Sequence, residues 1–366
     1  MSSVVTEFET ELNTRHPEPK EPVKAFPETN TEQTPDGAFR RQRNLFPVRF
    51  GEGPDQPKAE PGRYRLLGAV SCGWARRQLI AIRLLGLQDA LPFVPLYGRD
   101  SQGWRISASQ GDVVERWGSD RLNSFYQRTL PGFTGRGTSP TVIDIETGTV
   151  VTNSYHTLSI DLETAWKPFH AAGAPDLYPE DLRQEIDLLN QQLFDDVNNG
   201  TYKVIFATNP QAARVALGIF EARLADYDFR LDSRRYLFGD RPTDSDIRLF
   251  QTLSSYERTY RPRLAAILGD ANVKHLQDFA NLWGYARDLF QHGFVDDREL
   301  YFLDLLPGPS GEYVQGKSFA NGLTLPSPEE SLAAWQEPSG RESLAGSPLY
   351  SGPGSGGSFQ LWQFGA

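Results

Sequence analysis

The sequence predicts an α/β domain followed by an all-helical domain, with polar extensions at both ends. Three observations predict it. Between residues 62 and 166, short apolar runs of strand character alternate with helical patterns. From about 176 to 302 only the helical period remains, with apolar residues three and four apart. The flanks, 1–61 and 307–366, are rich in Glu, Thr and Pro, or in Gly, Ser and Pro, and lack either period.

Composition narrows the class. At 366 residues the chain has length for about two domains and tails. A formal net charge of -10 with no basic stripe argues against nucleic acid as a partner. The single cysteine, Cys72, cannot form an internal disulfide, which excludes a secreted disulfide scaffold. The N-terminus MSSVVTEFETELNTRHPEPK lacks the apolar core of a signal peptide. No run approaches the roughly 18 apolar residues that span a membrane. A cytoplasmic protein, free of membrane, is expected.

Taken in order, residues 1 to about 35 read as disordered or as an extended arm. The segment 36–46 mixes Phe39 and Phe46 with Arg40 and Arg41. It either drapes over the folded body or is a solvated linker. Residues 63–70 read as a buried strand and 74–87 as a helix with Leu79 and Ile82 at helical spacing, ending near Gly86. A second strand, 93–97, leads into a loop with Gly98, Gly103 and Gly111 that holds Trp104. A short helix over 121–129 follows. Two runs, 141–146 and 149–153, flank Thr147-Gly148 as a hairpin. Ser154 then stands as the N-cap of another helix.

The order strand, helix, strand, helix, strand, strand, helix is that of a thioredoxin-like domain. Its reactive group is expected after the first strand, where Cys72 sits at the helix start. Free backbone N–H groups and the helix dipole there favour thiolate over thiol. Arg76 and Arg77, one turn on, are candidates to add positive potential. The alternative is a small buried hydrophobe. Ser139-Pro140 directly precedes the third strand, where thioredoxin-like folds commonly hold a cis proline facing the active-site turn. An ordinary trans proline opening a strand is the other reading.

Residues 165–177, with Pro168, Gly173 and Pro175, read as an interdomain linker. Helices are expected over 179–199, from Asn209-Pro210 to about 232, after a capping box at Thr243 to Asp246, and over 273–292. In the tail, Trp335 and Trp362 are candidates for local docking.

The order of elements and several motifs resemble the cytosolic glutathione transferases. Within them the chain is most similar to the glutathionyl-hydroquinone reductases, or Xi class, over residues 36–297. The family's Cys-Pro-Trp-Ala motif stands here as Cys72-Gly73-Trp74-Ala75. Pro61-Gly62-Arg63-Tyr64, Asp176-Leu177-Tyr178-Pro179 and Asn198-Asn199-Gly200-Thr201-Tyr202 fit the family. So do Tyr236-Leu237-Phe238-Gly239-Asp240-Arg241, Asp246-Ile247-Arg248-Leu249-Phe250 and Asn281-Leu282-Trp283-Gly284-Tyr285.

The resemblance implies a two-step thiol exchange. The cysteine takes the sulfur of a glutathionyl-hydroquinone as a mixed disulfide, and a second glutathione resolves it. It implies Cys72 as nucleophile and Tyr202 as the tyrosine that assists at the quinone end; a helix-start tyrosine with a half-buried ring is the plain alternative. It places thiol binding on Trp74, Trp104, Arg136, Ser139, Pro140, Ser154 and Tyr155. The cosubstrate is glutathione or another low-molecular thiol, without a metal. The acceptor is a small quinone-like molecule or thiol conjugate, in a wide pocket between the domains lined by Trp74 and Tyr202. A homodimer is expected.

Three departures stand out. Gly73 replaces the family's proline. Asn153-Ser154-Tyr155-His156 replaces an Asn-Glu-Ser-Ser run that recognises the γ-glutamyl group. The family's His-Tyr-Tyr run has no counterpart around 300–306, so its second tyrosine is not placed. The second departure points to a different thiol, mycothiol being one candidate. His156 is either a polar contact there or a surface residue. Two competing readings keep the fold: conjugation or isomerisation with another thiol, and a noncatalytic binding protein.

Overall fold

The computed structural model describes residues 34, 36–39, 41, 44–69, 72–106, 112–292, 294, 306–307, 313–314 and 328–346. The expectations placed on Val70, Gly111, Trp362 and the run 300–305 lie outside them.

The first strand, β1 (Tyr64–Gly68), is central because Leu66 and Leu67 are fully buried on its opposite faces. It leads into α1 (Gly73–Leu85), whose end is closed by Gly86 in the left-handed region at φ 69. That conformation suits glycine, and the Gly86 N–H satisfies the Arg83 carbonyl. Next come β2 (Phe93–Asp100) and β3 (Gly103–Ile106). Two short helices, α2 (Val113–Trp117) and α3 (Leu122–Thr129), precede the hairpin of β4 (Thr141–Asp144) and β5 (Thr149–Thr152). The domain closes with α4 (Leu158–Glu163). The sheet order is β3-β2-β1-β4-β5. β1 runs parallel to β2 and antiparallel to β4, in register Leu66 with Phe93 and with Val142.

Two readings of this domain need correction. Trp104 lies on a strand, not in a loop. The glycines at 98 and 103 obscure an edge pair whose register shifts between Tyr97 and Arg99. Ser154 does not cap a helix. Residues 155–157 form a turn and α4 starts at Leu158. The Ser154 carbonyl accepts from the Leu158 N–H, while its hydroxyl accepts from Thr157 Oγ1 at 2.9 Å.

The second domain is helical. It comprises α5 (Arg183–Gln192), α6 (Gly200–Ile205), α7 (Pro210–Arg230), α8 (Asp244–Ser255), α9 (Arg261–Leu268) and α10 (Ala280–Gln291). A π-helical turn, Leu193–Asn198, follows α5, and another, Tyr256–Tyr260, joins α8 to α9. The expected helix over 273–292 starts only at Ala280, after a short 3-10 turn at Leu276–Asp278. Helix α1 packs between the domains, against α4 on one side and α8 on the other.

The capping box forms as the sequence predicts. Asp246 accepts from Thr243 N (2.7 Å) and Thr243 Oγ1 (3.0 Å), and also from Leu237 N (2.9 Å) and Tyr285 Oη (2.7 Å). Three of the family-like motifs thus meet on one buried carboxylate. Asp246→Ala leaves several buried donors without an acceptor. With lost donors and a lost cap each contributing about 1 kcal/mol or more, a loss of about 3 kcal/mol is expected. Denaturant unfolding measures it; a loss under ~1 kcal/mol contradicts the network's role.

Described parts of both extensions pack on the body. The arm spans the two domains: Thr208 N donates to the Gly37 carbonyl, and Phe39 packs on Phe206 at 5.3 Å. Further on, Phe46 and Asn153 exchange hydrogen bonds, and Phe50 packs between Tyr64 and Trp166. The arm therefore drapes over the body. The tail, expected to be mostly disordered, contains a folded segment: α11 (Pro328–Gln336) and the residues after it. Trp335 is buried among Phe250, Trp283 and Phe290. A Cβ at Gly284 would lie 2.8 Å from the Ser339 carbonyl, so that glycine is what lets the tail approach. The two-residue strands Leu306–Pro307 and Tyr313–Val314 also pair.

Candidate functional site

Cys72 stands at the N-cap of α1, and its carbonyl accepts from Ala75 N and Arg76 N, both at 3.0 Å. The thiol is half-buried and donates to the Ser139 carbonyl at 3.5 Å. The Ser139-Pro140 bond is cis, and the Ser139 hydroxyl accepts from Ala69 N at 2.9 Å. The loop before β4 is therefore fixed to the end of β1, and both face the start of α1. No group of three or more potential metal ligands occurs among the described residues.

Arg76 and Arg77 do not point at the thiol. Both are fully buried: Arg76 donates to Ser255 Oγ at 2.6 Å, and Arg77 to the Tyr155 carbonyl and Asn198 Oδ1, each at 2.9 Å. They tie the two domains together. Burial, then the neighbouring Arg248, pushes the Arg77 pKa well down.

Aromatic rings form the wall beside the thiol. Trp74 is 5% exposed and packs on Tyr155 at 4.6 Å, Phe194 at 5.8 Å and Tyr202 at 5.9 Å. Tyr202 in turn meets Tyr260 edge-on at 5.9 Å. Burial first, then the charge at Cys72, raises the pKa of Tyr202. Tyr260 is pushed well up by burial, then by Tyr202. Both stay protonated and able to donate. Each comes from a stretch next to or within a π-helical turn, a distortion frequent at functional sites.

Tyr260 is the residue sequence reasoning missed. A Cβ at Gly73 would lie 2.9 Å from its hydroxyl and collide with Gln251 Oε1. The glycine thus leaves the room that these two side chains fill. The signal was present but split between positions 73 and 260. Arg41 was missed as a site residue too. Its Nε donates to Asn199 Oδ1 at 2.8 Å, and its guanidinium lies 4.4 Å from the Tyr202 ring and 4.8 Å from the Trp74 ring.

The other predicted residues divide. Trp104 packs, with Cys72, beside the core under the sheet, and Arg136 approaches the same strand at Gly103. Ser154 is 3% exposed and its hydroxyl is engaged by Thr157. His156 is not a surface residue. It is half-buried against Tyr155 and Phe194, both 4.4 Å away, and desolvation with Arg77, Arg248 and Arg41 holds its pKa down at about 3. It therefore stays neutral. It lines a cavity of about 240 Å³ between α4 and α5, which does not include Cys72.

The chain is 30% identical over 297 residues to the glutathionyl-hydroquinone reductase YqjG of Escherichia coli, covering 78% of this chain and 84% of that protein. It belongs to the glutathionyl-hydroquinone reductase family, the Xi class of glutathione transferases. Among solved structures it resembles a glutathione transferase from Gordonia bronchialis, at 34% identity and a TM-score of 0.66 over 81% of this chain and 90% of that one. It also resembles glutathione-bound YqjG, at 28% identity and a TM-score of 0.63 over 84% and 98% of the two chains. No family model matches the chain. As a Xi-class member it is a glutathione transferase-like oxidoreductase. Among its described residues no helix is long and apolar enough to cross a membrane.

Proposed function

We propose that the protein reduces glutathionyl-hydroquinones, or close thiol conjugates of quinols, through a mixed disulfide on Cys72. What carries the reading is one juxtaposition: a single half-buried thiol at a helix start, facing a wall with the phenols of Tyr202 and Tyr260. In the keto tautomer of the quinol, the carbon bearing sulfur already holds a proton. Cys72 thiolate attacks that sulfur, an S–S bond forms and the C–S bond breaks. The electron pair moves into the ring and onto oxygen, leaving a quinol anion that is then protonated. A second low-molecular thiol, as thiolate, attacks the mixed disulfide and returns Cys72 to thiolate. The ring is reduced, and the two cosubstrate sulfurs leave as a disulfide. The same reading carries a homodimer acting in the cytoplasm.

Incubation with a glutathionyl-quinol, followed by intact-mass measurement, tests this: one thiol adduct on Cys72 is expected, and glutathione should remove it. Tyr202→Phe should lower turnover roughly 10²-fold, the lower end for a proton donor at a leaving group. Thiol binding should change much less, because such a phenol acts in the transition state. Equal turnover in the variant returns Tyr202 to a structural role.

Glutathione is the thiol bound in the solved YqjG structure. Here Ser154 offers no carboxylate to an α-ammonium, and Tyr155 turns its ring onto Trp74. A charge-assisted bond contributes roughly 1.5–3 kcal/mol. Its loss predicts glutathione binding roughly 10- to 100-fold weaker than in members with the Glu-Ser pair. Titration calorimetry decides: micromolar binding at neutral pH restores plain glutathione dependence, and tighter binding of mycothiol supports the other thiol.

A further inference from the structure

The acceptor wall carries a cation from outside both domains. Arg41 belongs to the arm, which is anchored on the helical domain at Gly37 and Phe39 and on the α/β domain at Phe46. Between those anchors its guanidinium enters a box of four rings: Tyr202 at 4.4 Å, Trp74 at 4.8 Å, Phe39 at 5.5 Å and Tyr155 at 5.9 Å. Ring faces attract a guanidinium and leave its N–H donors free. One donor, Nε, is fixed by Asn199 Oδ1 at 2.8 Å. Another, Nη2, is shut off from solvent and has no hydrogen-bond partner among the described residues. A buried charged donor without an acceptor is costly. An oxyanion brought into the box removes that cost.

We propose that Arg41 is a specificity-determining residue for the acceptor, selecting thioethers whose leaving group carries its electron pair on an oxygen anion. The inference rests on the reaction proposed above. The quinol leaves as an anion, with charge on its ring oxygen. Tyr202 and Tyr260 donate neutral hydrogen bonds, whereas Arg41 brings a permanent positive charge. Its closeness to Tyr202 also offsets part of the rise that burial gives that phenol. A disulfide acceptor gains little from Arg41, because its leaving group places the charge on sulfur.

The test compares two acceptors in the full-length protein. With a glutathionyl-quinol, Arg41→Gln should lower kcat/KM roughly 100-fold, as loss of an oxyanion donor commonly does. With hydroxyethyl disulfide the same variant should stay within about twofold of the unaltered protein, since thiol exchange at Cys72 needs no oxyanion donor. Arg41→Lys should recover part of the quinol activity, because it keeps the charge and loses the fork. Equal losses on both acceptors, or no loss on the quinol, overturn the assignment. If the unaltered protein reduces the disulfide and leaves the glutathionyl-quinol untouched, the proposed reaction itself fails.

Discussion

Replacing Cys72 by serine is expected to abolish turnover and leave the fold intact. The main-chain duties of residue 72, accepting from Ala75 N and Arg76 N, do not depend on its side chain. Serine is slightly smaller and can still donate to the Ser139 carbonyl. What it cannot supply is an anionic nucleophile near neutral pH, where a thiol with a reference pKa near 8.5 already ionises in part. Loss of a nucleophile costs roughly 10⁴-fold or more in rate. No second cysteine exists to take over. Steady-state turnover with glutathionyl-quinol and thiol measures the loss, and intact mass should show no adduct. Turnover near that of the unaltered protein in the serine variant sinks the mixed-disulfide mechanism.

The parts legible in the sequence were local. The run from Tyr64 through Leu85 announces its strand, turn and helix by period alone, and Cys72 falls at the junction. The capping box at Thr243 and the start of α7 at Asn209-Pro210 follow from side chains that bond their own backbone; Asn209 accepts from Gln211 N at 2.8 Å. Contacts distant in sequence were not legible. Arg41 lies 158 positions from Asn199, its hydrogen-bond partner. Tyr260, at the end of a π-helical turn, meets Gly73 from a distant part of the chain. Trp335 docks as its sequence suggests, but the Gly/Ser/Pro-rich background hides the short helix that carries it. The edge strand β3 failed for a different reason. Its pairing with β2 passes a register shift, and glycine at 103, with φ at 93, reads as a breaker when it is the first residue of the strand.

The family motifs also divide by role, and the structure gives the reason. Leu237, Asp246 and Tyr285 come from three motifs and share one hydrogen-bonded cluster. Asn198 bonds the Arg248 carbonyl, Thr252 and Arg77, joining α1 to the second domain. These residues hold α1 and α8 in a fixed relation. Similarity there is therefore similarity of frame. Two of the positions of departure, Gly73 and Tyr155, lie instead beside Tyr260 and Trp74, next to Cys72.

Restoring the family's proline at position 73 is expected to disable the site, although the backbone favours it. Residue 73 is the first helical position, where proline fixes a helical φ and gives up an N–H that the helix leaves free. Local propensity thus predicts a neutral or mildly stabilising change. Packing opposes it. A side-chain carbon at 73 collides with Gln251 Oε1 and lies 2.9 Å from the Tyr260 hydroxyl. Gln251 is buried and its amide donates to Thr252 Oγ1 at 2.7 Å, so its retreat breaks that bond. Tyr260 is a rigid ring in contact with Tyr202, and its displacement moves that aromatic wall relative to Cys72. A shift on the order of 1 Å at reacting groups can cost roughly 100-fold in rate. Gly73→Pro should therefore lose about that much turnover while its thermal midpoint changes little. Gly73→Ala, which brings the same first carbon without the ring, should lose a large share of the same activity. The double variant Gly73→Pro with Gln251→Ala separates the two obstacles: recovery assigns the effect to Gln251, and continued loss assigns it to Tyr260. Full turnover in the single proline variant would show that both side chains yield at no cost, and that the glycine carries no functional weight.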